Sequence, residues 1–127
     1  MDAPNKQQPP MSPRLSIYRW RLTMIASITH RGSGVLLVVM IPLLFWLLLS
    51  ASHHPHAFLN ISNLLHHPIA ILLLWGTASA LCFHFLNGIR FLYLDIGIGE
   101  SRDMMKLTAK LVLGSTLIFA VVLGVML

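Results

Sequence analysis

Three long apolar runs, roughly residues 32–52, 68–89 and 107–127, constrain this chain more than anything else in it. Each approaches or exceeds the ~20 residues that a helix needs to cross ~30 Å of hydrocarbon. A backbone in that medium finds no water, so the bonds of a spanning segment must be made internally, as a helix makes them. The fold expected is all-α integral membrane, with three transmembrane helices at about residues 22–52, 66–93 and 104–127. Of the 127 residues, 56% are hydrophobic and 10% charged, against ~25% charged in a soluble domain. The spans and their connections use up the chain, which reads as a single membrane-anchor domain over residues 1–127. It offers no catalytic residue and is expected to be inactive alone, as part of a heteromeric helix bundle whose catalytic machinery sits on partner chains.

Residues 1–15, "MDAPNKQQPPMSPRL", are polar and proline-rich. They read as a flexible cytoplasmic arm and not as a signal peptide, because no apolar h-region is present. Tyr18, Arg19, Trp20 and Arg21 then give the aromatic and basic mixture expected at headgroup depth. Lys6, Arg14, Arg19, Arg21 and Arg31 precede the first apolar run, while Arg90, Arg102, Lys106 and Lys110 flank the connection between the second and third. By the positive-inside rule the N-terminus and that connection are cytoplasmic, and the first loop and the C-terminus lie on the other side. Orientation thus accounts for the net charge of +5 without a nucleic-acid partner.

The first loop holds His53, His54, His56, His66 and His67. No carboxylate or cysteine accompanies them and the spacing matches no closed zinc site, so a polar extracytoplasmic loop is expected. Asn60-Ile61-Ser62 is a short glycosylation-type pattern of low specificity. Pro42 interrupts the first span, which in a membrane helix predicts a kink in preference to a break. Pro68 suits the first turn of the second. Cys82, the only cysteine, excludes an internal disulfide and reads as a small apolar filler.

Polar groups at membrane depth are costly and call for a reason. Ser27, His30, Arg31 and Gly34 fall at i, i+3, i+4 and i+7 and share one helix face. Gly32 and Ser33 beside them are small enough to admit another helix or a flat ligand. His84 precedes Arg90 by six residues, about 9 Å deeper at 1.5 Å per residue. Gly88, Phe91 and Asp95 follow it at i+4, i+7 and i+11. A glycine there leaves room for a planar macrocycle, and a neutral imidazole is a good axial ligand for iron. The alternatives are an Arg31 that reaches the headgroups and a His84 bonded to a neighbouring helix. His84 is the one histidine well inside a span, so a second axial histidine must come from a partner unless His30 swings inward. Asp95 is expected to pair with Arg90 or Arg102.

The stretches "SPRLSIYRWRLTMIASITHRGSGVLL" and "HFLNGIRFLYLDIG" together resemble the cytochrome b membrane-anchor subunit of succinate dehydrogenase, the larger hydrophobic subunit of respiratory complex II. The resemblance covers nearly the whole three-span layout. It implies that His84 ligates the iron of a haem b shared with a second small hydrophobic anchor subunit. It also implies that Ser27 and Arg31 line the site of ubiquinone, the substrate, and that His30 and Arg31 lie near the haem propionates. Electrons would come from succinate, in the tricarboxylic acid cycle, through a flavoprotein subunit and an iron-sulfur subunit. The expected location is the bacterial inner membrane, in preference to the mitochondrial one. Phe91 stands where many members of the family have histidine. The alternatives are the anchor of a quinol:fumarate reductase and a non-redox helical membrane adaptor.

Overall fold

The computed structural model describes residues 22–53 and 55–127. The arm, the aromatic-basic segment at 18–21 and His54 lie outside them. Helix α1 spans Leu22–His53, α2 Pro55–Leu65, α3 Pro68–Asp95 and α4 Arg102–Met126. Helices α1, α3 and α4 are long and apolar enough to cross a membrane and pack pairwise, while α2 lies against α1 and α3. The expectation of an all-α membrane protein with three spans is borne out. Pro42 lies inside a continuous α1, so the helix does not break there.

The helix ends follow local chemistry. At the start of α3, His67 is extended (φ −71°, ψ 136°) and its ring nitrogen accepts from the Ile69 N–H at 3.3 Å. Pro68 occupies the first helical position, where a missing N–H costs nothing. The α3 C-terminus closes in a Schellman arrangement. The Ile98 N–H donates to the Tyr93 carbonyl at 2.9 Å and the Gly97 N–H to that of Leu94 at 3.0 Å. That reversal needs a left-handed residue, and Gly97 supplies it at φ +79°. Ser101 caps α4 by accepting from the Met104 N–H at 3.3 Å, with Asp103 in the first turn.

Residues 55–65 are helical where a polar loop is expected. Ala57, Ile61 and Leu65 recur at i, i+4 and i+8 on the less exposed side of α2, whereas His56, Asn60 and Asn63 are exposed. That period seats one side of α2 against α1 and α3. Counting histidines concealed it, because the apolar residues between them carry the period.

Little is buried among the three spans. Ala26, Leu37, Met40, Phe83, Ala109 and Ala120 form the apolar core, and most of the large hydrophobic side chains face outward. Association in lipid relies on close packing and interhelical hydrogen bonds, and α3 makes these to both neighbours. The Trp75 indole donates to the Ala120 carbonyl on α4 at 2.7 Å. Arg90, 6% exposed, donates from Nε to Thr108 Oγ1 at 3.0 Å and from Nη2 to the Met105 carbonyl at 3.3 Å. Asn87, fully buried, donates from Nδ2 to the Ala26 carbonyl on α1 at 3.2 Å.

One reading of charge is overturned. Arg90 turns inward and ties α3 to the first turns of α4. Asp95 pairs with neither Arg90 nor Arg102. It is exposed, and the ion pair found among the described residues joins Lys106 to Asp103 at 3.8 Å. Five residues apart on a helix, Arg90 and Asp95 point about 140° from each other.

Candidate cofactor site at the crossing of α1 and α3

His30 and His84 meet where α1 and α3 cross. Their rings are stacked, with centroids 4.0 Å apart and planes 8° from parallel. Each is tied to the other's backbone. His30 Nε2–H donates to the His84 carbonyl at 3.2 Å, and His84 Nδ1–H donates to the His30 carbonyl at 3.2 Å. Ser33, 8% exposed, donates to the same His30 carbonyl at 2.8 Å, and its oxygen lies 3.1 Å from His84 Nδ1. His84 Nε2 makes no hydrogen bond among the described residues. Phe91 meets the His30 ring edge-on at 5.2 Å.

Glycines allow this approach. A Cβ on Gly34 would lie 3.1 Å from His84 Cε1, inside ordinary contact, whereas one on Gly88 would lie 3.6 Å from His30 Nε2. The space that matters most to His84 is therefore made by Gly34, across the interface. Gly88, four residues along on the same helix, accommodates His30.

Beside the stacked rings runs an open groove of about 910 Å³ between α1 and α3, lined by His84, Gly34, Arg31, Leu37, Val38 and Leu81 among others. Arg31 is exposed and makes no ion pair among the described residues. Ser27 is half-buried, with no side-chain hydrogen bond among the described residues. Of the sequence-derived set, the structure thus joins His30, His84 and Gly88 in one cluster and sets Arg31 on the same groove as His84. Ser27 lies outside that groove.

The sequence reading put His30 at the rim and left His84 alone in depth. The two are at one level, because small residues on both helices let the backbones close. The buried stripe of α1 is Ala26, Ser33, Leu37 and Met40, offset from the expected face, and Ser33 with it turns toward α3. Ser33 and Asn87 were missed as site residues. Each sits three residues from a site histidine, His30 or His84, and that spacing was the available signal.

The described residues contain no cluster of three or more His, Cys, Asp or Glu side chains suited to hold a metal ion.

Comparison with known proteins finds relatives over most of the chain. The succinate dehydrogenase cytochrome b556 subunit of Paracoccus denitrificans is 35% identical over 115 residues, covering 90% of this chain and 88% of its own. That of Coxiella burnetii is 35% identical over 117 residues, covering 91% and 94%. The mitochondrial succinate dehydrogenase cytochrome b560 subunit of Sus scrofa is 35% identical over 119 residues, covering 92% and 70%. The family described as "Succinate dehydrogenase/Fumarate reductase transmembrane subunit" matches residues 5–123, nearly the full three-span architecture, and the chain belongs to that family.

Proposed function

We propose that this chain is the membrane-anchoring cytochrome b subunit of a succinate:quinone oxidoreductase, contributing one axial ligand to a haem b and part of the ubiquinone site. The observation that carries the reading is His84: an imidazole inside a span, with Nδ1 committed to hydrogen bonds, Nε2 without a partner among the described residues and an open groove beside it.

The residues fit the group. A metal bonds to an imidazole in the plane of the ring, so the His30 ring stacked on the face of His84 does not compete with iron. The carbonyl bond at Nδ1 is the support that metal-ligating histidines commonly use. Arg31, always protonated, lines the same groove and suits a propionate or a quinone oxygen. His84 would hold the haem from this chain, with His30 stacked on its face, and a further ligand would come from the other hydrophobic anchor subunit. When bound, the haem supplies a one-electron redox centre.

At the quinone the chain's part is binding and electrostatics. Ser27, outside the groove, would donate its hydroxyl to a quinone carbonyl held against that face of α1, and Arg31, one turn along and exposed at the groove, would offset negative charge developing there. The iron-sulfur subunit, fed by a flavoprotein that oxidises succinate, docks at this end. The start of α1 and the start of α4 share that end: Leu22 and Thr23 flank a cleft with Arg102, Lys106 and Lys110. Such a concentration of cations supports a cytoplasmic placement, with the C-terminus periplasmic and the protein in a bacterial inner membrane. The relatives reported above are all named for succinate dehydrogenase, which favours that direction over fumarate reduction.

The test is activity of the assembled complex. Arg31→Ala and Ser27→Ala should each sharply lower succinate:quinone turnover, while succinate oxidation by an artificial acceptor continues. Unchanged quinone turnover in both variants would defeat the quinone assignment.

A further inference from the structure

The hydrogen bonds around His84 carry a consequence beyond ligation itself. A neutral imidazole has one N–H and one lone pair, and which nitrogen holds the proton decides whether Nε2 can bind iron at all. A serine hydroxyl can act either way toward Nδ1. Donating to Nδ1, it would favour the tautomer protonated at Nε2, which is useless as a ligand through that atom. Accepting from Nδ1, it favours the productive one.

Two distances decide between these roles. Ser33 has a single hydroxyl hydrogen, and the His30 carbonyl takes it at 2.8 Å, shorter than the 3.1 Å from Ser33 Oγ to His84 Nδ1. What Ser33 turns toward His84 is therefore a lone pair. The second neighbour of Nδ1, the His30 carbonyl at 3.2 Å, can only accept. Among the described residues Nδ1 thus faces two acceptors and no donor, in a place from which water is largely excluded: Ser33 is 8% exposed. We propose that Ser33 is a positioning residue which, with the backbone carbonyl of His30, locks His84 in the Nδ1–H tautomer and leaves the Nε2 lone pair for the haem iron. This rests on the reading of His84 as an axial ligand.

A hydrogen bond accepted from Nδ1–H makes the ligand more basic and favours the more positively charged, ferric state. Supporting hydrogen bonds of this kind are typically worth 10–100-fold in metal affinity. In the complex isolated with its partner subunits, Ser33→Ala should weaken ferric haem preferentially. The expected reading is an upward shift of the haem midpoint potential, about 59 mV for each tenfold loss confined to the ferric state. Ser33→Thr, which keeps the hydroxyl, should return the potential to the wild-type value; a mere packing role for residue 33 predicts no such rescue. Should the alanine chain fail to assemble, Ser33→Cys keeps the volume with only weak hydrogen bonding and should shift the potential upward likewise. An unshifted or lowered potential in the assembled variant overturns the proposal. His84→Ala, run in parallel, separates the two ideas. If it abolishes haem while the Ser33 variants leave the potential unmoved, only the role of Ser33 falls. If haem persists without residue 84, the reading of the ligand falls first.

Discussion

Replacing Gly34 and Gly88 by alanine makes a matched pair in which the interhelical cost stands clear of helix propensity. Both glycines are interior to spans, so each substitution gains the same ~1 kcal/mol of helix preference, and the difference between them reports the space outside. At Gly34 the added methyl lies 3.1 Å from His84 Cε1, about 0.4 Å short of the ~3.5 Å at which carbon contacts become favourable. The imidazole has little freedom to retreat, since one face stacks on His30 and Nδ1 is held at 3.1 and 3.2 Å. One excess methylene in a packed site costs about 1–3 kcal/mol. At Gly88 the nearest atom is His30 Nε2 at 3.6 Å, an ordinary contact with no such cost. Gly34→Ala should therefore be less stable than Gly88→Ala by about 1–3 kcal/mol, measured by denaturation of the solubilised complex. Equal stabilities of the two alanine variants would refute the close approach at His84.

The same reasoning reaches the interhelical hydrogen bonds. Thr108→Val removes the acceptor for Arg90 Nε and should cost about 1–3 kcal/mol, the penalty for an unsatisfied buried donor; a wild-type melting temperature would contradict the inward placement of Arg90. Trp75→Phe should cost about 0.6–1.7 kcal/mol, the range for hydrogen bonds between membrane helices, in the same melting assay. Asn87→Asp replaces a donor to the Ala26 carbonyl by a fully buried carboxylate, so the loss should be several kcal/mol and copurification with partner subunits should fail. Normal copurification of that variant would show that residue 87 is wetter than its burial implies.

What the sequence disclosed and what it hid divide along physical lines. The spans were readable because hydrocarbon thickness fixes the length of each apolar run, and the family resemblance because two polar motifs recur in order. The expected pairing of Asp95 with Arg90 failed because the Arg90 partners, Thr108 and the Met105 carbonyl, lie on α4, where no pattern within α3 can report them. The pairing of His30 with His84 depends on how deeply α1 and α3 interpenetrate. Gly34 controls that approach from the opposite helix, and no periodicity within one helix can report it. Ser33 looked merely small for the same reason: its hydroxyl gains meaning from His84, 51 positions away. The helical α2 was hidden by the histidines in and around it, although Ala57, Ile61 and Leu65 carried its period.

The most direct test is a reduced-minus-oxidised absorbance spectrum of the complex carrying wild-type or His84→Ala chain, with partner subunits quantified in the same preparation. A haem α-band in the wild type that disappears with its haem in the variant, while the partners still copurify, is the predicted result. An undiminished band without that imidazole, or a colourless wild-type complex, would contradict the account.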